Sequence, residues 1–227
     1  MEAILNQQNT YTDEQKKELS SFKKLLNLFL AGAICLSIST LSFATSINGV
    51  PVWISLFAIF LPIAYVLFFI GLMFVRKLNK YFFFSLLSLC IHSLLMFIVD
   101  LCKSNTNEFY IALGKGLEWS ADIMFALTLL LFFYGTYLIF DKYHFLTGKK
   151  RALIGSIIFV VLYILMDVCD YFTGTKMVMS NILARRIFLY SYWGFTFLIY
   201  AFTLAMVISA NHYLKIKYKK EGLEDVK

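Results

Sequence analysis

Long apolar stretches separated by short polar connections dominate the chain. Six stretches are about 20 residues or longer, the length that an α-helix needs to cross about 30 Å of hydrocarbon. They cover residues 25–47, 52–75, 81–102, 118–140, 152–172 and 187–211. Inside lipid each backbone N–H and C=O must be bonded within its own segment. The pattern therefore predicts an all-α, polytopic integral membrane bundle of six transmembrane helices.

Composition removes two other classes of protein. The 227 residues are 60% hydrophobic and 15% charged, with a mean hydropathy of +0.73, whereas an ordinary soluble domain is about 25% charged. A soluble globular fold is excluded. The net charge is +7, but the basic residues stand at the ends of apolar runs, so a nucleic-acid partner is also excluded. The expected partners are the lipid bilayer and either further copies of the chain or a partner subunit.

The basic residues are divided unequally between the two sides. Sixteen of the 21 Lys and Arg residues lie before the first span, after the second and fourth spans and in the C-terminal tail, and five lie in the other connections. The positive-inside rule therefore predicts a cell inner membrane protein with both termini in the cytoplasm. The expected domains are a cytoplasmic amphipathic segment (1–24), a transmembrane domain (25–211) and a basic cytoplasmic tail (212–227).

The segment before the first span has its own helical pattern. Thr12 to Gln15 form a capping-box sequence, which marks a helix start. Leu19, Phe22 and Leu26 then fall on one face among lysines. This pattern predicts an amphipathic helix at the membrane surface. It serves either as a lead-in to the first span or as a docking site for a partner.

Two stretches of the chain resemble each other. Residues 67–71 (LFFIG) match residues 131–135 (LFFYG), and residues 99–102 (VDLC) match residues 166–169 (MDVC). The spacing predicts a parallel repeat of two helical hairpins, although Phe-rich and Leu-rich helices also match by chance.

One polar stripe crosses the third span. Ser85, Ser88 and His92 follow a helical spacing, so they share one face toward a neighbouring helix or a cavity. An ionisable side chain at this depth is costly to bury and suggests a function. His92 is either a structural hydrogen-bonding group or a proton-linked or ligand-linked site. Its candidate partners are Thr128, Tyr163 and Thr203.

Charged residues gather at the predicted outer ends of the spans. A carboxylate near the hydrocarbon boundary must face protein and needs a partner. Asp122 and Asp167 are the innermost members, and the cluster is either a network that fixes helix register or a binding vestibule for a cation or small polar solute. The candidate ligand-binding residues are His92, Asp100, Asp122, Asp167, Asp170, Arg185 and Arg186, with Glu118 and Lys103 nearby.

The cysteines and the outer connections support further expectations. Cys102 and Cys169 end matching segments, which permits a disulfide between them. Asp and Cys two residues apart on a helix point in nearly opposite directions, so no metal site is predicted, and no cofactor is expected. Two short surface helices are expected in the outer connections, around Phe109, Tyr110 and Leu113 and around Met179, Ile182, Leu183 and Arg186.

Function is less constrained than location. No phosphate-binding loop, nucleophile elbow, zinc-protease motif or dinucleotide fingerprint occurs in the sequence. The leading hypothesis is a non-enzymatic membrane subunit, sensor or immunity or defence component that works through helix and cytoplasmic contacts. The second is a small-solute or ion binder, such as a transport component, with an outward-facing polar vestibule. The third is an enzyme that acts on a lipid-linked substrate and uses His92.

Overall fold

A computed structural model describes residues 12–42, 52–104, 107–144, 146–173 and 181–220, and these residues are helical apart from their short turns. Within these residues there are six α-helices, and a 3-10 helix (Val52–Ile59) leads into the second. They are α1 (Asp13–Ser39), α2 (Phe60–Val75), α3 (Lys80–Lys103), α4 (Glu108–Lys142), α5 (Leu146–Thr173) and α6 (Ile182–Lys220). In the described part of the chain, six helical segments are long and apolar enough to cross a membrane, the second including part of the 3-10 helix. The chain is thus an all-helical integral membrane protein, as the hydropathy pattern predicts.

Short polar side chains start four of the helices. Thr12 and Gln15 form the predicted reciprocal capping box at α1, with bonds of 3.3 and 3.0 Å. Asn79 accepts bonds from the first amides of α3, and Asn107 and Asn181 do the same for α4 and α6. These caps satisfy amides that lack a partner within the helix. They fix where each helix begins.

The six helices form a closed ring in chain order. Each helix packs against the helices before and after it, and α6 returns to α1. The closest packing joins α1 to α2, α3 to α4 and α5 to α6. Asn211 on α6 donates to Asn27 on α1 over 2.9 Å, which ties the last helix to the first.

Aromatic side chains from α1 and α4 fill the middle of the ring. Phe29 stacks on Phe132 with ring centroids 3.9 Å apart, and it also contacts Phe68 at 4.4 Å. Phe22 meets Phe140 edge-on at 5.9 Å. These rings are almost fully buried, so this part of the interior is packed with apolar side chains.

The segment before the first span is part of this core. Helix α1 runs without a break from Asp13 into the first span, and Leu19, Phe22 and Leu26 are buried within the bundle. The apolar face that predicted a helix on the membrane surface packs instead against neighbouring helices. Residues 1–11 lie outside the described part of the chain.

Helices α4 and α6 are longer than the predicted spans. The expected surface helix at Phe109 to Leu113 is the beginning of α4, because Asn107 caps the helix there and no proline interrupts it. Ile182, Leu183 and Arg186 likewise belong to α6, while Met179 lies outside the described residues. The prediction that these residues form two separate surface helices was therefore wrong. The tail expected from residue 212 continues α6 as far as Lys220.

Candidate functional site

Helix α3 is fastened to α4 by four hydrogen bonds from side chains to backbone carbonyls. The donors lie at the start of α3 and along its polar stripe. The pairs are Asn79 Nδ2 to Gly135 O (3.2 Å), Ser85 Oγ to Thr128 O (2.7 Å), Ser88 Oγ to Met124 O (2.7 Å) and His92 Nδ1 to Ala121 O (2.8 Å). A carbonyl has two lone pairs, so it can accept these bonds while it keeps its helical partner. The polar stripe faces α4, and it contacts the backbone there.

His92 has one satisfied nitrogen and one unsatisfied nitrogen. The Ala121 carbonyl can only accept, so Nδ1 carries the proton of this bond. Nε2 is buried and has no hydrogen-bond partner among the described residues. The imidazole packs edge-on against Tyr65, with centroids 5.0 Å apart, and lies 5.2 Å from the Phe125 ring. In the neutral ring, Nε2 is therefore a buried acceptor in an imidazole that packs against two aromatic rings.

Four tyrosines from three other helices lie within electrostatic range of the half-buried Asp122. Tyr65 comes from α2, Tyr163 from α5, and Tyr192 and Tyr200 from α6; each lies within electrostatic range of Asp122 on α4. Tyr163 is buried, and the others are partly buried. We call these five residues the tyrosine cluster. Because Tyr65 also contacts His92, the cluster continues into the end of the polar stripe.

Further carboxylates lie between the tyrosine cluster and the end of the bundle where α4 and α6 begin. Asp167 and Asp170 are half-buried on α5, and Glu118 lies one turn before Asp122 on α4. Trp119 on α4 lies within hydrogen-bonding reach of Asp170 on α5 at this end. Each of the carboxylates Glu118, Asp122, Asp167 and Asp170 lies within electrostatic range of at least one of the four tyrosines. We call this the carboxylate end of the bundle.

Three of the predicted site residues do not join the cluster. Asp100, Arg185 and Arg186 are exposed on α3 and α6. The sequence shows how far along a helix each residue lies, but it does not show which way its side chain points. Asp122, Asp167 and His92 are the predicted residues that the structure brings near the tyrosines, and Asp170 lies at their edge.

The permitted disulfide is also not formed. Cys102 and Cys169 are both thiols, and both are buried. They belong to α3 and α5, which flank α4 in the ring rather than pack closely on each other. Matching positions along two helices therefore did not place the sulfurs in contact.

Three tyrosines of the cluster were missed in the sequence. Tyr163 is a candidate partner for His92, whereas Tyr65, Tyr192 and Tyr200 resemble ordinary aromatic residues of a membrane span. A phenol differs from a phenyl ring because its hydroxyl seeks a hydrogen-bond partner when it is buried. Tyrosines well inside an apolar stretch were therefore the available signal, and Tyr65 and Tyr200 lie in such positions.

The site is built from aromatic rings and separate carboxylates. Among the residues that the structure describes, no group of three or more His, Cys, Asp or Glu side chains could hold a metal ion. Ring faces attract a cation, a nearby carboxylate neutralises it, and the His92 Nε2 atom can accept a hydrogen bond from it. The chain matches no protein-family model, and no curated protein or solved structure is significantly similar to it.

Proposed function

We propose that this integral membrane protein binds a small organic cation, a protonated amine or a quaternary ammonium compound, within the tyrosine cluster. The proposal rests on one observation: four tyrosines from three helices lie within electrostatic range of Asp122, and one of them, Tyr65, packs against His92. It develops the hypothesis of a vestibule for a cation or small solute. The proposed binding site now lies among the aromatic rings inside the bundle, and no longer at the exposed charges of the outer ends.

Each part of the cluster would contribute differently to cation binding. A cation over a tyrosine face gains about 0.5–2 kcal/mol, and more when water is excluded. The Asp122 carboxylate would balance the charge, which matters because an uncompensated charge inside a membrane protein is costly. His92 Nε2 would favour a ligand that still carries an N–H bond. The four tyrosine rings and the nearby Phe125 ring would select a ligand with an apolar body over a hydrated metal ion.

The hypothesis of a partner-binding subunit, sensor or immunity component remains an alternative proposal. It relied partly on an exposed apolar face at Leu19, Phe22 and Leu26, and that face is buried within the bundle. Its remaining support is the lysine-rich C-terminal part of α6, where Lys215 is exposed. An enzyme that uses His92 as a base is less favoured, because its Nδ1 donates to the backbone carbonyl of Ala121 and not to a carboxylate that would orient and support a catalytic base.

Calorimetric titration of the purified full-length protein in detergent tests the proposal. The probes are benzylammonium, tetraethylammonium and, as a neutral counterpart of benzylammonium, benzyl alcohol. We expect both cations to bind and the alcohol not to bind. Asp122→Asn should weaken cation binding by about 2 kcal/mol or more, roughly thirtyfold, because it removes the charge partner.

Asp100→Asn is the matched control. Asp100 is also a carboxylate near the carboxylate end, but it is exposed, so its replacement should leave binding within about twofold. Equal losses in the two variants would indicate general surface attraction and would refute the proposed site. Loss of folded protein in Asp122→Asn, together with absent cation binding by the wild type, would instead support the register network.

Both termini in the cytoplasm and a location in the cell inner membrane remain proposals supported by the distribution of Lys and Arg. Cysteines introduced at Ser104 and Lys215, in a background without the native cysteines, would test the orientation. Both positions are exposed, and the proposal places them on opposite sides. An impermeant maleimide should label only the Ser104 position in intact cells, and labelling of both from the outside would reject the orientation.

The parallel hairpin repeat also remains a proposal, and it has support from packing. A Cβ on Gly71 of α2 would meet Leu25 and Phe29 of α1, while a Cβ on Gly135 of α4 would meet Phe82 of α3. Each matching motif therefore turns its glycine toward the preceding helix.

A further inference from the structure

A second polar feature lies at the opposite end of the bundle, which we call the basic end. A narrow cleft, partly open to the surroundings, is formed by α4, α5 and α6. Phe133 and Met206 contribute to its apolar wall, and Thr136, Arg151 and Ser209 are its polar lining. A single opening that combines an apolar wall with a guanidinium is suited to an amphipathic anion.

The cleft is lined by a buried hydroxyl, that of Thr136, whose hydrogen bonding differs from that of other threonines in the bundle. Threonines inside membrane helices commonly donate to the carbonyl four residues earlier. Thr128, Thr196 and Thr203 do so here, with bonds of 2.8–2.9 Å. Thr136 is 2% exposed, and its hydroxyl has no hydrogen-bond partner among the described residues. A buried hydroxyl of this kind is costly, and a polar group of a ligand in the cleft would satisfy it.

The charges around the cleft favour an anion. Helix α5 has Lys149, Lys150 and Arg151 in its first two turns and no acidic residue in its first turn. The positive end of the helix dipole repels these cations. Asp141 compensates Lys149 through a contact of 2.5 Å, and the Arg151 guanidinium lies 5.2 Å from the centroid of the Tyr213 ring. A bound anion would counter both the dipole and the remaining positive charge.

We propose that this cleft binds the phosphate-bearing head region of an anionic phospholipid. Arg151 would bind the phosphate, Thr136 would donate to a phosphate or ester oxygen, and the wall at Phe133 and Met206 would contact the first carbons of one acyl chain. Basic pockets between membrane helices commonly hold anionic head groups. The site uses no residue of the tyrosine cluster, so it can be tested independently of cation binding.

Native mass spectrometry of the full-length protein in detergent can measure this binding. Phosphatidylglycerol and phosphatidylcholine with identical acyl chains are titrated separately. We expect the wild type to bind one phosphatidylglycerol about tenfold more tightly than phosphatidylcholine, since charge-assisted bonds to phosphate are the strong ones. Arg151→Gln should remove this preference. Thr136→Val keeps the side-chain shape and should weaken phosphatidylglycerol binding by about two- to tenfold.

Lys150→Gln is the matched control, because Lys150 is exposed beside Arg151 and does not line the cleft. It should retain the preference. A preference that persists in both Arg151→Gln and Thr136→Val, or that Lys150→Gln removes to the same extent, would overturn the proposal. Inorganic phosphate at millimolar concentration separates the two sources of the anion. Displacement of the lipid by phosphate alone would mean a free-anion site and would also overturn the lipid as the occupant.

Discussion

His92 donates its Nδ1 proton to the carbonyl of Ala121 over 2.8 Å, and Ala121 directly precedes Asp122. The bond therefore holds α3 against the part of α4 that carries the central carboxylate of the tyrosine cluster. Since Ser85 and Ser88 continue the same contact toward the basic end, the polar stripe fixes the register of the two helices. In the proposed function His92 is thus a positioning residue for Asp122 as well as an acceptor near the ligand.

The serine bonds between α3 and α4 should contribute measurably to stability. Ser85→Ala and Ser88→Ala each remove one bond between helices, and each should lower the free energy of unfolding by about 0.6 kcal/mol, with about 1.7 kcal/mol as an upper value. Ser93→Ala is the control, because Ser93 donates to Leu89 of its own helix. Unfolding in mixed micelles with increasing denaturing detergent would measure the three variants. A loss in Ser93→Ala equal to the others would contradict the role of the stripe.

The tyrosine cluster predicts a difference between two substitutions at Tyr65. Tyr65→Phe keeps the ring face and should retain benzylammonium binding within about threefold, because the cation–π contribution survives. Tyr65→Ala removes the ring and should weaken binding by about tenfold or more. Calorimetric titration gives both affinities. Stronger loss in Tyr65→Phe than in Asp122→Asn would mean that the hydroxyl, not the ring, governs binding.

Two glycines allow phenylalanine rings to pack against the helix backbone. A Cβ at Gly32 would lie 2.5 Å from Cε1 of Phe68, and one at Gly135 would lie 2.7 Å from Cε1 of Phe82. Gly32→Ala and Gly135→Ala should each cost about 1–3 kcal/mol, since a well-packed core tolerates little extra volume. A Cβ at Gly116 would meet nothing within 4 Å. Gly116→Ala should therefore cause no loss of stability. Thermal unfolding of the three variants measures these differences, and equal losses in all three would contradict the role of the two packed glycines.

The basic end contains an ion pair that connects α1 to α4. The Glu18 carboxylate accepts from Lys142 Nζ and from the Tyr143 hydroxyl, both over 2.6 Å. Both charged side chains are partly exposed, so Glu18→Gln should lower the free energy of unfolding by about 1 kcal/mol or less, and less at high salt. Glu14→Gln, at an exposed position on the same helix, is the control. A loss that does not change with salt would argue against a mainly ionic contribution.

Hydropathy alone was enough to predict six membrane helices, because length and apolar content are properties of each segment taken separately. Helical periodicity likewise predicted that Ser85, Ser88 and His92 share a face. The positions of the helix ends were harder to predict, since polar residues such as Glu108 continue a helix beyond the apolar run. The tyrosine cluster could not be predicted, because it depends on how α2, α4, α5 and α6 are arranged around the ring. The same arrangement left Asp100 outside the cluster and Asp122 within it.

The contact between α6 and α1 can form only late in synthesis. Asn27 and Asn211 are separated by 184 residues, so the first helix enters the bilayer long before its last neighbour has been translated. Until then, one side of α1 must be covered by lipid, by the insertion machinery or by a chaperone. Mutations at the contact between α1 and α6 should therefore reduce the yield of inserted protein more than they lower the stability of the completed bundle.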